Sequence, residues 1–345
     1  MTMSQDQTTS PAEERGVGGT VVEAADLALA ADSRPAPTTS KRRIPVTMTG
    51  KLATGLVIVG VIALVGIVGP FLLHDPAAID SIGLQPPGTP GTDGSPHLLG
   101  TTQTGQDVLT QLVHATRGSL TIGLVVGVLA MVLASLFGVV GAYIGGMTDE
   151  AFSLFTNVVL VIPGLPLVIV ISSYVSQRSV WIVALVLVIT SWAGAARVIR
   201  GVTLSVRNRD YVMASVVAGE RTWRILAVEI LPNLLPLLAS QFIFAVIAAI
   251  LGEAGLSFLG LGAVDSWTWG TMLYYAQNSM ALLRQAWWWF IPPGLMLALF
   301  GAGLSLINFA IDETINPKLR SQTRSSRKAW NLTKEQASEL KKDTL

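Results

Sequence analysis

A single carboxylate stands where chemistry at membrane depth would need one. Glu253 closes a stretch, 230–252, that contains no Asp, Glu, Lys or Arg. Charge in such a place is expensive and is kept where it serves a function. Two roles fit it: contact with a substrate, or a partner for a backbone or polar group beside the turn that follows. Elsewhere the catalytic inventory is empty. Gly50-Lys51 is followed by Leu52 and lacks an upstream glycine, so nothing there cradles a phosphate. Neither H-E-x-x-H nor G-x-S-x-G occurs. The three histidines, His74, His97 and His114, have no ligand-like spacing, and cysteine is absent, which removes thiol catalysis and thiolate metal sites. The chain does not read as an enzyme, and neither a metal nor another cofactor is expected in it. If it moves a solute uphill, the energy comes from another subunit.

The other informative segment, 197–230, suits mechanical work. Asn208 or Asp210 can cap a helix running from Tyr211 to Ala218, and Gly219 fits its C-terminal stop. Tyr211, Ala214, Ser215 and Ala218 share one face with small side chains among them. Such a face can insert into a groove on a partner and transmit a push, or it can pack on its own bundle. A second helical stretch, Trp223 to Ile230, leads into Leu231-Pro232.

These residues must be positioned by membrane helices. Of 345 residues only 13% are charged, against about 25% in ordinary soluble domains. Mean hydropathy is +0.56. The windows 52–74, 118–148, 151–177, 179–196, 230–252 and 285–311 hold no Asp, Glu, Lys or Arg. A helix needs about 20 apolar residues to cross roughly 30 Å of hydrocarbon, which excludes a soluble enzyme. Six spans follow, near 52–73, 120–146, 151–174, 180–196, 231–251 and 286–309. Pro163, Gly164 and Pro166 predict a kink or unwinding in the third. Gly123 with Gly127, Ala134 with Gly138, and Gly141 with Gly145 lie at the spacing that lets helices approach closely in lipid.

Orientation follows from Lys and Arg. With a cytoplasmic N-terminus, segments 1–51, 147–150, 197–230 and 310–345 carry 6, 0, 6 and 8 basic residues, leaving Arg117, Arg178 and Arg284 outside. The positive-inside bias therefore places both termini in the cytoplasm, and Trp287, Trp288 and Trp289 at the outer interface. Net charge is +1, so no polyanion such as nucleic acid is expected as a partner. Residues 1–48 read as a disordered cytoplasmic tail. The first span, within 49–74, reads as a retained anchor. Segment 75–118 is an outer loop, irregular through 75–96, with a short amphipathic helix at 106–114 lying along the membrane surface. Segment 253–285 looks partly re-entrant, and 321–345 is a cytoplasmic tail that is solvated or touches anionic lipid.

Four motifs carry a family resemblance. His97-Leu-Leu-Gly-Thr101 precedes Gly105-Gln-Asp-Val-Leu109. Met213-Ala214-Ser215, Gly219 and Leu231-Pro232 follow the EAA-type pattern. Glu253-Ala-Gly-Leu-Ser-Phe-Leu-Gly-Leu-Gly262 leads to Trp269-Gly270, and Asn316-Pro-Lys-Leu-Arg320 closes the series. In order, and over roughly 97–320, they resemble the DppC/OppC-type permeases of bacterial dipeptide and oligopeptide ABC importers. Met213 stands where that family usually has Glu, Ser215 where it has Ala, and Gln106 where it has Arg.

The resemblance implies an all-α membrane protein of six transmembrane helices, a type I-like permease bundle whose core spans 119–320. It implies a coupling helix in loop 197–230, with Asp210, Tyr211, Met213, Ala214, Ser215, Ala218, Gly219 and Glu220 seated on a cytoplasmic ATPase. The implied partners are a second homologous permease, two ATPases that use ATP and Mg, an extracytoplasmic binding protein, a peptide and membrane lipid. Asp107, Glu253, Ser257 and Trp269, in the outer elements, would contact the binding protein or the peptide. The same architecture also serves nickel or haem import in related systems, and a membrane scaffold or sensor without transport is the reading from another class.

Overall fold

A computed structural model describes residues 50–79, 83–92, 94, 96–174, 179–263 and 266–315, all within one unit, Thr47–Leu345. The tails expected at 1–48 and 321–345, Arg178 and the motif at 316–320 lie outside the described residues. Helix α1, Gly50–Leu72, is followed by a two-residue antiparallel ladder, β1 (Thr89–Pro90) with β2 (Pro96–His97), inside the outer loop expected to be irregular. Helix α2, Val108–Ser135, continues through a π-helical turn at Leu136–Val140 into α3, Gly141–Ile144. Then come α4 (Gly146–Val161), α5 (Gly164–Tyr174) and α6 (Val180–Arg207). Helix α7, Asp210–Val217, is followed by α8 (Thr222–Arg224), a second π-helical stretch at Ile225–Ile230, and α9 (Leu231–Phe258). Helices α10 (Trp269–Asn278) and α11 (Trp287–Ile315) complete the described chain.

Among the described residues, five helices are long and apolar enough to cross a bilayer: 50–72, 108–144, 180–207, 222–258 and 287–313. The expected third crossing is broken as Pro163 predicts. Ile162, with φ −72° and ψ 121°, is forced out of the helical region by the proline ring that follows it, and the chain restarts at Gly164.

The expectation for 106–114 is corrected. Residues 106–114 do not form a separate surface helix; Val108 begins a helix that runs unbroken into the second crossing. Its apolar face, with Val108, Leu112 and Ala115, is buried against Trp269, Met272, Ala276 and Trp289 rather than laid on lipid. Gly118 interrupts nothing, because here its lack of a side chain serves packing: a methyl group there would overlap the carbonyl oxygen of Trp267. The tryptophan run begins α11 as expected, but its three members divide. Trp287 alone is exposed, whereas Trp288 and Trp289 are buried, and Trp288 Nε1 donates to the Thr101 carbonyl at 3.2 Å.

The small-residue pairs do what their spacing predicts. Within a bilayer, helices associate through close van der Waals contact rather than by escaping water. A Cβ at Gly123 would lie 2.6 Å from Ile250, one at Gly127 2.6 Å from Val246, and one at Gly138 2.7 Å from the Ala196 carbonyl. Thus α2 presses on α9, and the following π turn presses on α6. Helix α1 uses the same device against α11, where Gly55 comes within 2.7 Å of the Gly303 carbonyl by the same measure.

Candidate functional site

The first candidate is α7, eight residues held by one buried side chain. Neither Asn208 nor Asp210 caps it. Arg209 is the N-cap, in extended conformation and without a side-chain bond. Asn208 ends α6, and Asp210 is the first helical residue, where its negative charge suits the helix N-terminus. The stop at Gly219 is as expected. With φ +76° it donates to the Val216 carbonyl at 3.0 Å, and Glu220 N–H reaches the Ser215 carbonyl at 3.1 Å, closing the helix in a Schellman turn.

Val212, 1% exposed, packs with Val139, Ile199, Ile225 and Ile230. Burying such a side chain contributes about 2 kcal/mol. The rest of the helix faces outward. Tyr211, Met213, Val216 and Val217 are exposed, as are Ala214 and Ala218, and Ser215 is half-buried with its hydroxyl on the Tyr211 carbonyl at 3.1 Å. Trp223 extends this apolar surface. Glu220 pairs with Arg224 one turn on. The bundle contact runs through Val212 beside the face of Tyr211, Ala214, Ser215 and Ala218; of those four only Ser215 is half-buried.

Beneath α7 lies a set of contacts that sequence reasoning missed. Arg200 holds Asp149 through two bonds of 2.7 and 2.8 Å. Arg207 donates to the carbonyls of Ala142, at 2.9 Å, and Tyr143, at 3.4 Å, closing the end of α3. Asp149 was the available signal, as one of two acids, with Glu150, between the second and third charge-free windows. The hydrogen bond from Arg200, aided by its charge, holds the Asp149 carboxyl below the usual carboxylate range. A carboxyl with a depressed folded value stabilises the fold above its unfolded value, about 3.9, and that stabilisation drains as pH falls through the lower folded value. Asp149→Asn is therefore expected to cost at most about 1 kcal/mol at pH 7, with the difference from wild type vanishing in strong acid. Thermal unfolding in detergent at both pH values checks this; a pH-independent difference would remove the ion pair as its cause.

The other candidates divide into two groups. Asp107 is the N-cap of α2: its Oδ2 accepts from Thr110 N–H at 2.8 Å and Thr110 Oγ1 at 2.7 Å, while Oδ1 lies 3.0 Å from His97 Nδ1. Both oxygens are thus engaged in holding β2 to the helix start. Glu253, Ser257 and Trp269 come together in the interior. Ser257 Oγ and Thr268 Oγ1 donate to Glu253 Oε1 at 2.6 and 2.7 Å, and Glu253 is 2% exposed. Trp269 is fully buried, its backbone N–H on Ser119 Oγ at 3.0 Å and its Nε1 on Thr116 Oγ1 at 3.1 Å.

Of the two roles open for Glu253, the geometry supplies the second. The carboxylate ties the end of α9 to Thr268, the N-cap of α10, across the turn at Gly260. Thr268 itself went unnoticed in the sequence, although a threonine before Trp269-Gly270 with Thr271 three residues on is an N-cap signal. Glu253→Ala leaves two buried hydroxyls without their acceptor and is expected to cost about 2 kcal/mol, whereas Glu253→Gln keeps an acceptor and costs less. Equal stability of the Ala and wild-type proteins in detergent would refute the structural role.

Residues 130–321 match the family model described as binding-protein-dependent transport system inner membrane component. The chain is 31% identical over 277 residues to the dipeptide transport system permease protein DppC of Bacillus subtilis, covering 78% of this chain and 83% of that protein. To DppC of Haemophilus influenzae it is 31% identical, over 77% of this chain and 90% of the other. To the oligopeptide transport system permease protein OppC of Lactococcus lactis strain IL1403 it is 32% identical, over 64% and 75% respectively.

Proposed function

The chain belongs to the inner-membrane components of binding-protein-dependent transport systems, as a DppC/OppC-type permease, and from that premise we propose that it forms part of the path by which an ATP-driven importer takes up dipeptides or oligopeptides. The observation that carries the reading is α7. It is a short helix with an outward apolar face, Tyr211, Met213, Val217 and Ala218, fixed to the bundle through Val212. A contiguous exposed apolar surface of this kind marks a protein contact. In this reading its occupant is one of two cytoplasmic ATPases, and Asp210 and Glu220 flank the contact.

The ATPases use ATP and Mg; this chain supplies motion rather than catalysis and holds no cofactor of its own. Closure of the ATPases pushes α7, and through the cluster around Val212 it reaches the π turn at 136–140, α6 and α9. Switching between inward and outward access is then a rigid-body change biased by ligand. A second, homologous permease completes the path, and an extracytoplasmic binding protein delivers the peptide at the face built from 97–114 and 253–285. Both termini are cytoplasmic, by the Lys and Arg distribution.

The test is to purify the chain with its co-expressed neighbours, reconstitute the complex, and measure ATP hydrolysis and peptide accumulation with and without binding protein. Peptide-stimulated hydrolysis with accumulation is expected. A complex that contains ATPases but ignores peptides would reject the cargo and keep the architecture. Isolation without any ATPase would overturn the reading.

A further inference from the structure

A groove of about 430 Å³ runs between α1, α2, α9 and α11. Its walls are apolar, with Val59, Ile67, Leu124, Phe242, Val246 and Leu304 among them. At one end stands Arg117, its guanidinium carbon 5.8 Å from the centre of the Phe71 ring. Arg117 is exposed and forms no ion pair with a carboxylate among the described residues. An arginine on a face that meets lipid is costly unless its head reaches the interface, where water and lipid phosphates lie.

The dimensions select the occupant. From Phe71 at the rim to Val59 is twelve residues of α1, about 18 Å of helix. That is slightly more than half of a hydrocarbon core of about 30 Å, the depth of one leaflet. Counting all the empty space between the walls out to the open side, about 1080 Å³, the mean cross-section over that length is only about 60 Å². A helix about 10 Å across needs about 80 Å², so the space is too thin for a partner's span. A peptide would leave its backbone groups without partners there, since Thr121, the other polar side chain in the lining, spends its hydroxyl on the Arg117 carbonyl at 2.8 Å.

We propose that this groove holds one acyl chain of an anionic phospholipid whose phosphate pairs with Arg117. A guanidinium forks onto phosphate through two parallel bonds, and the Phe71 face steadies its plane. The shallow end is the outer one, so the lipid belongs to the outer leaflet; this last point rests on the orientation proposed above.

The test uses the full chain, co-purified with its partner subunits and exchanged into nanodiscs of phosphatidylglycerol and phosphatidylcholine in equal amounts. Lipid retained after release into mild detergent is counted by native mass spectrometry. Wild type is expected to keep phosphatidylglycerol at least fivefold over phosphatidylcholine. Arg117→Gln, a substitution on an exposed face, removes the preference, and Ala63→Phe, which fills the groove, removes the bound lipid itself. No preference in wild type, or an unchanged preference in Arg117→Gln, overturns the proposal. So does a photocrosslink from position 67 to a partner subunit in the assembled complex, which would put protein in the groove. Because the measurement is blind to leaflet, an inverted orientation would leave it intact and so fail separately.

Discussion

Replacing Gly219 by proline abolishes peptide uptake while the protein still reaches the membrane. Proline is locked near φ −65° and carries no N–H, whereas position 219 sits at φ +76° and donates to the Val216 carbonyl. Both closing bonds of α7 are lost, and its last turn, which carries Val216, Val217 and Ala218, comes apart. The damage is confined to the end of α7, since a side chain at 219 would meet nothing within 4 Å. Transport is expected to fall at least tenfold, equivalent to about 1.4 kcal/mol or more of lost coupling. Gly219→Ala separates geometry from bulk: alanine pays about 1 kcal/mol for the left-handed conformation but keeps its N–H, so it retains much of the uptake. Normal uptake by well-expressed Gly219→Pro would mean that the shape of α7 does not matter to transport.

The second large effect is on stability. At Gly118, helix propensity alone predicts that alanine gains about 0.5–1 kcal/mol over glycine in mid-helix. The structure reverses that sign. The added methyl overlaps the Trp267 carbonyl oxygen, a backbone atom that has no rotamer to retreat into. The segment it displaces leads directly to Thr268, and with it the carboxylate bond from α9 and the N-cap of α10. Gly118→Ala is expected to lose about 3 kcal/mol, at the upper end for overpacked sites, and Gly118→Val more. Thermal unfolding in detergent reads the effect, and a rise in midpoint for Gly118→Ala would show that α2 and the 266–268 segment are not in contact.

Gly118 also shows where sequence reading stops. One-dimensional patterns report what a residue does to its own helix. Charge-free windows, the break at Pro163 and the stop at Gly219 are therefore legible, because each acts within a few residues of itself. Gly118 matters through a partner 149 positions away, and nothing local to it announces Trp267. Residues 106–114 were misplaced for a related reason. Helical periodicity shows that Val108, Leu112 and Val113 share an apolar face, but a face bound for lipid and one bound for Trp269 and Met272 have the same composition. The family motif located α7, but Val212, which fastens it, belongs to no motif position that the sequence singles out. Asp149 and Arg200, 51 residues apart, pair only because α4 and α6 are neighbours.

The two longest helical runs, 108–144 and 222–258, are each 37 residues, about 55 Å long where the hydrocarbon is about 30 Å thick. They lie against each other through Gly123 and Gly127. Neither can be contained by the bilayer, so the pair is a strut that stands proud of it. One end carries Asp107 and the outer loop, the other carries the turn that holds Val212. Levers of that length amplify: a tilt of about 5° about one end moves the other by about 5 Å. An angular change too small to disturb the packing at Gly123 would thus shift the opposite surface by the width of a side chain.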